Sequence, residues 1–121
     1  TGTWQGYEGV DLDAVIDLGM VTELHTVTAG FFQDQGSWIF MPEEVTIFVS
    51  DDGSNFTEAA VIKNDVPAES AEPQRKDFKA MMKGKKTRYV RVVAKNRGIC
   101  PPWHPAAGSK AWIFADEISI D

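Results

Sequence analysis

One cysteine, Cys100, stands alone in the chain, so no disulfide forms within it and thiol usage does not report the redox state of its compartment. Histidine is nearly as scarce: His25 and His104 lie far apart, and pairing His104 with Cys100 would leave a nucleophile without an orienting third group. There is no Gly-x-Ser-x-Gly elbow, no His-Glu-x-x-His, no Cys-x-x-Cys, no phosphate-cradling glycine loop and no dinucleotide fingerprint. These absences remove the common routes to nucleophilic, zinc-dependent and nucleotide-dependent catalysis, and nothing selects one pair of carboxylates from the 18 acids. Long apolar runs are missing too; none approaches the ~20 residues of a membrane span. The chain starts at Thr1 without an initiator methionine or a charged-then-apolar leader, and reads as a domain excised from a longer protein.

What is present is enough for a core. With 121 residues, 43% apolar and 25% charged, residues 1–121 read as a single globular domain. The formal charge is −6, yet ten of the 12 basic residues lie between Arg75 and Arg97, with only Asp77 opposing them there. A polyanion site is one reading of that run. The acidic balance elsewhere and the lack of interleaved aromatics oppose nucleic acid and anionic membrane, and favour a solvated strand face with its turn.

Apolar alternation then gives the fold class. Thr1 to Gly9, rich in glycine and aromatics around Trp4, Tyr7 and Glu8, reads as loop. Asp13 to Gly19 alternates, with Ala14, Ile16 and Leu18 on one face, before Gly19 stops it. Val21 to Phe32 is a second extended run in which Leu24 and Val27 are three apart, so a phase break or bulge is needed, and His25 sits in it as a strand residue. Glu44 to Ser50 is a strand with Val45, Ile47 and Val49 on one face, followed by the Asp51-Asp52-Gly53-Ser54 turn into Phe56. The spacing of those acids does not match an EF-hand loop, and turn chemistry accounts for them. Val66 to Pro73 is a connector, Lys76 to Met82 is extended, Lys83 to Lys86 is a turn, Arg88 to Asn96 is the strongest strand, and Ala111 to Ile120 is the last. No segment offers three turns of helical periodicity. Many short strands with turn signals indicate an all-β sandwich.

Two stretches carry candidate binding chemistry. In Gly98 to Phe114, Pro101, Pro102 and Pro105 fix φ and remove three backbone donors, so the segment runs as a stiffened loop around Trp103 and His104. Trp103 is either a binding platform, losing little conformational freedom when covered, or a lid on the core. The run Gln33-Asp34-Gln35-Gly36-Ser37 places amides and a carboxylate beside Trp38, which suits a polyhydroxylated ligand if Trp38 is exposed and is a plain solvated turn if it is not.

Several motifs together resemble one family. Ile16-Asp17-Leu18-Gly19, the run Val45 to Phe56, and Arg88-Tyr89-Val90-Arg91-Val92 are similar, in order and spacing, to the signatures of the F5/8 type C, or discoidin, family. More narrowly, Trp4-Gln5-Gly6-Tyr7-Glu8-Gly9, Phe31-Phe32-Gln33-Asp34 and the run Lys110 to Ile118 resemble the discoidin-like domain appended to bacterial β-N-acetylhexosaminidases, or chitobiases, which is similar to family 32 carbohydrate-binding modules. The resemblance implies a discoidin-like jelly-roll β-sandwich, galactose-binding-domain-like, with a ligand site in loops at one end. It implies a non-catalytic role, holding the catalytic domain of a secreted, periplasmic or cell-surface glycosidase on glycans. The family also carries a structural calcium held by an early loop and a late glutamate. Glu117 matches the late position, while the early loop is largely missing.

The recognition expected on this basis is of GlcNAc- or galactose-containing glycans. Trp103, Trp38 or Tyr7 offers a flat face to the C–H side of a sugar, and Glu8, Gln33, Asp34, His104 and Lys110 pair with its hydroxyls. No cofactor is required beyond a structural calcium, no nucleic acid or membrane insertion is expected, and the domain is expected to be a monomer. The other reading is a structural spacer or protein-docking domain of the same enzyme.

Overall fold

Among the described residues, alternating apolar positions lay six strands: β1 (Gln5–Glu8), β2 (Leu12–Gln33), β3 (Glu44–Ser50), β4 (Thr57–Lys63), β5 (Gln74–Ala94) and β6 (Trp112–Ile120). The structure, a computed structural model, describes residues 5–34, 36, 38–66, 73–104 and 107–121, with side chains described except at 5–8, 116 and 117. Trp4, Gln35, Ser37, Pro105 and most of the 66–73 connector lie outside the described residues, as do the side chains of Tyr7, Glu8 and Glu117.

The strands form one antiparallel hydrogen-bonded sheet in the order β1-β6-β2-β5-β3-β4. Its two long members change neighbours halfway. β6 pairs with β2 only from Val27 to Phe32, whereas β3 pairs with β5 only from Tyr89 to Ala94. Between these halves the β2–β5 register slips twice, between Asp17 and Thr22 and again between Leu24 and Thr26. Val27, Ala29, Phe31, Phe78, Ala80 and Ile113 from one half meet Leu12, Val45, Ile47, Val49, Val90 and Val92 from the other in a single buried cluster. The sheet is therefore folded over on itself, giving an all-β jelly-roll sandwich with a continuous core.

Three expectations about the strands are corrected by this arrangement. Gly19 does not end a strand, and Lys83 to Lys86 is not a separate turn; β2 and β5 run through both places. Gly19 (φ 85°) bulges outward, its N–H held by the Asp17 carboxylate at 2.8 Å, and on β5 Lys83 (φ 54°) and Gly84 (φ 78°) take successive left-handed conformations. Glycine supplies that geometry without Cβ strain, so the same residue serves a chain reversal or a bulge that bends a continuing strand. The third correction is β1, expected as loop; it pairs with β6 from Gln5↔Ala115 to Glu8↔Trp112, a partner found only in tertiary structure. The phase break expected near Leu24 and Val27 is present as the slip at His25, an exposed strand residue 3.4 Å from Glu23 Oε2.

Most of the basic run lies on β5, and among the described residues four of its ten members have an acidic partner, Arg88 and Arg91 across strands. Arg88 grips Asp17 through two hydrogen bonds at 3.0 and 3.2 Å, Arg91 grips Asp13 at 2.8 and 2.5 Å, Arg75 pairs with Asp77, and Lys76 pairs with Asp65. These pairs hold the Asp13, Asp17 and Asp65 carboxyls below the ordinary value of 3.8. Asp52 is depressed further by hydrogen bonds from the N–H groups of Asn55 and Ser54, then the Asn55 amide and the Ser50 hydroxyl. A carboxyl whose folded value is lowered contributes stability above its unfolded value and loses it as pH falls through the folded one, because the unfolded chain then binds more protons. The melting temperature is thus expected to be flat from pH 7 to about 5 and to fall below pH 3.8. Calorimetry across this range checks it, and Asp52→Asn should flatten the acid limb.

Candidate functional site

The fold has two unlike ends. At one, the bulges of β2 and β5 meet the β3–β4 turn and the end of β6, where Thr26 and Asp121 exchange backbone hydrogen bonds at 3.1 and 2.9 Å. At the other, three segments are stitched together. The 34–41 segment closes on itself through a bridge between Asp34 and Ile39, at 2.9 and 3.0 Å, and attaches to the start of β6 through Trp112 N–H to the Trp38 carbonyl at 2.8 Å and Phe40 N–H to the Trp112 carbonyl at 2.9 Å. The 98–110 loop is a narrow excursion, closed by a bridge between Ile99 and Lys110, by Cys100 N–H to Ser109 O at 2.8 Å and by Ala111 N–H to Gly98 O at 3.1 Å. Gly9 joins the same end by donating to Ala111 O at 2.8 Å.

Asn96 is the knot of this end, and sequence reasoning missed it. It is 6% exposed; its N–H donates to Asp11 Oδ1 at 2.8 Å, its amide nitrogen to the Val10 and Ala111 carbonyls at 3.1 and 3.3 Å, and its amide oxygen accepts from Gly98 N–H at 2.8 Å. One short side chain thus ties the approach to β2, the exit from β5 and the entry to β6. Asn96→Ala removes the partners of Gly98 N–H and the Val10 carbonyl, while the Ala111 carbonyl keeps its bond from Gly9, and is expected to cost about 1–3 kcal/mol, measured by urea unfolding.

The expected ligand contacts are unequally placed. Trp38 and Trp103 are 41% and 45% exposed, so neither is a buried core residue. Trp38 also has φ 65°, unusual for a bulky residue, and is held there by the bond from Trp112 to its carbonyl. Asp34 is half-buried in its bridge, and Lys110 is exposed, its aliphatic stem lying across Gly9. Gln33 and His104 differ from expectation: both are buried. Gln33 faces inward at the end of β2 with its amide oxygen accepting from Met41 N–H at 3.2 Å, so it shapes the loop from below. The His104 ring packs edge-on to Phe40 at 5.6 Å and lies 5.9 Å from the Trp103 ring, leaving Trp103 as the outward member of the pair. Tyr7 and Glu8 stand on β1, Glu8 directly across from Trp112, with their side chains outside the described residues.

Cys100 packs with Phe40 and Ala111 in a small second core under the loop, and burial pushes its thiol pKa up. It is a packing residue, protonated at neutral pH. On the flank of the same loop, Glu43, Arg97, Ile99, Cys100, Pro101 and Pro102 line a shallow depression of about 340 Å3. At the opposite end a depression of about 290 Å3 lies beside the Asp52 turn and Lys85, Lys86 and Thr87, with no aromatic side chain in its lining. Among the described residues no three His, Cys, Asp or Glu side chains gather as a metal site, and Asp52 is engaged by its own turn; Glu117 lies on β6 with its side chain outside the described residues.

A folded-over antiparallel sheet with loops from distant segments joined at one end is the architecture of a jelly-roll β-sandwich domain. The family model for the F5/8 type C domain matches residues 1–113, and the chain belongs to that family. Among solved structures it is similar to the CBM32-5 module of CpGH89 from Clostridium perfringens, in complex with GalNAc-β-1,3-galactose (TM-score 0.51, 18% identity, 94% of this chain and 74% of that one). It is similar also to CBM32-3 of a family 31 glycoside hydrolase from the same organism (0.51, 15%, 95% and 72%). A third is the C-terminal domain of a chitobiase from Bacteroides fragilis (0.50, 14%), of which the chain spans 66% while 93% of the chain is covered. No curated protein sequence matches the chain. At these identities the likeness establishes the fold.

Proposed function

We propose that this domain is a non-catalytic carbohydrate-binding module that tethers a glycoside hydrolase, a β-N-acetylhexosaminidase or chitobiase, to glycans outside the cytoplasm. The observation that carries the reading is the pair of tryptophans, each more than two-fifths exposed, fixed on stitched loops at one end of the sandwich. Family membership supports it, as do fold neighbours that are modules of glycosidases, one of them solved with a disaccharide. A sugar ring has apolar C–H faces rimmed by hydroxyls. Trp38 and Trp103 cover the former, while Asp34 and Lys110 re-pair the latter as water leaves. Because the loops are held before the ligand arrives, little ordering entropy is lost on binding. A site this shallow binds weakly, with Kd on the order of 1 mM to 10 μM, and avidity from the tethered enzyme makes that sufficient.

The test is an NMR titration of the isotope-labelled chain with GlcNAc, galactose, N-acetyllactosamine and chitobiose, following the indole N–H signals. Saturable shifts at Trp38 or Trp103 are expected; none at tens of millimolar sugar would sink the reading for these ligands. One observation favours the spacer or docking alternative: Met20 and Met81, 71% and 62% exposed, sit near the bulges at the opposite end. Under that reading the titration is silent, and a neighbouring domain covers those methionines.

A further inference from the structure

We infer that the depression between Glu43 and Arg97 is a second contact for the glycan, which takes a neutral, hydroxyl-rich ring and makes the ligand at least a disaccharide. This rests on the glycan-module reading and gives it a ligand class. Arg97 is fixed from two sides: its guanidinium carbon lies 5.2 Å from the centroid of the Phe40 ring, and its Nε–H donates to the Ile99 carbonyl at 3.1 Å. Among the described residues the two terminal nitrogens of the guanidinium have no hydrogen-bond partner. Glu43 is exposed, and its backbone is pinned by Glu43 N–H to Lys95 O at 2.8 Å and Asn64 N–H to Glu43 O at 3.0 Å. Among the described residues neither Arg97 nor Glu43 has an ion-pair partner, although both line one depression and the neighbouring basic residues Arg88 and Arg91 are each matched to an aspartate.

Opposite charges that share a cavity without meeting suit a ligand that donates to one and accepts from the other. A sugar hydroxyl does both. A uronate or sulfated ring would gain at Arg97 and be repelled at Glu43, within a chain of net charge −6; an amino sugar would meet the reverse conflict. Ile99, 55% exposed, and the two prolines form the apolar part of the wall, matching a ring's C–H face. The volume of about 340 Å3 falls at the low end of the roughly 300–1,000 Å3 usual for small-molecule sites, enough for one ring. Pro102, in the lining, is followed directly by Trp103, so the proposal requires one oligosaccharide that spans the indole and the depression. The depression beside the Asp52 turn has Val49 as the single apolar residue in its lining.

The test follows the Arg97 Nε–H, the Ile99 and Cys100 amides and the indoles in one NMR titration with galactose, GlcNAc, N-acetyllactosamine, chitobiose and galacturonate. It is run on the parent chain, Glu43→Gln and Arg97→Gln. Glu43→Gln is exposed and keeps its size, so it reads the contact without threatening the fold. A disaccharide is expected to shift both groups of signals and to bind more tightly than either monosaccharide. Each variant should weaken it about tenfold, the loss of one charge-assisted hydrogen bond, and Glu43→Gln should improve galacturonate binding. Shifts confined to the indoles and unchanged in the variants overturn the second contact and leave the module reading intact. Galacturonate preferred over galactose by the parent chain overturns the neutral ligand class. Silence at every signal overturns both.

Discussion

Phe31→Ala is expected to cost about 3–5 kcal/mol of folding free energy, the range for emptying a buried phenylalanine site. Phe31 is 1% exposed and lies on β2 between Lys76 of β5 and Ala115 of β6, its ring edge-on to Phe78 at 5.5 Å and 87°. Both sides of the site are backbone in a paired sheet, so the cavity has little freedom to collapse. Against a typical total of roughly 5–15 kcal/mol, that loss takes from about a fifth of the stability to all of it. Urea unfolding followed by tryptophan fluorescence should show a lowered midpoint with an unchanged slope. Met20→Ala, at a side chain 71% exposed, is the control and should move the midpoint by no more than about 0.5 kcal/mol. Equal losses from the two variants would mean that Phe31 does not hold the halves of the sandwich together.

The sandwich was legible wherever one strand face is buried and the other wet. Ala14, Ile16 and Leu18 pack on the core; Val45, Ile47, Val49, Val90 and Val92 line it, as their period of two requires. What was not legible was the joining of elements. Gly19 and Gly84 have the same local signature whether the chain reverses or bends and continues, and the outcome depends on whether β2 and β5 keep pairing beyond them. β1 is four residues containing a glycine at the sheet's edge, and its partner β6 begins more than a hundred residues later.

The candidate site divides along the same line. Trp38 and Trp103 stood out because a large aromatic in a polar or proline-bound loop is conspicuous, but their exposure required coordinates. Gln33 had a readable signal that its polarity masked: it is two residues beyond Phe31 on one strand, and period two points both inward. Asn96, Arg97 and Glu43 had none, since each acts through backbone or ring contacts with segments distant in sequence. Asn96 reaches Val10 and Asp11 across some 85 residues, and Arg97 meets Phe40 across nearly 60.

Trp103→Ala should weaken binding of the preferred disaccharide by about thirtyfold, or about 2 kcal/mol, the loss typical of truncating a central aromatic anchor. Applied to a Kd near 1 mM, that carries the interaction beyond detection; applied to one near 10 μM, it leaves a measurable remnant. The thermal midpoint separates recognition from folding. A ring 45% exposed makes few core contacts, and His104 stays packed on Phe40 beneath it, so the melting temperature should move by only a few degrees. Trp38→Ala is the informative partner. Its backbone keeps φ 65° and the bond from Trp112 whatever the side chain, so loss of binding there reports the ring and not a collapsed loop. If both rings stack on sugar, each single variant weakens binding and the double variant abolishes it. If only Trp103 does, Trp38→Ala binds as the parent chain does, and the glycan runs from Trp103 over Pro102 toward Arg97 without crossing to the 34–41 segment. Unchanged affinity in both variants would remove the aromatic platform, and with it the physical basis for sugar recognition at this end of the sandwich.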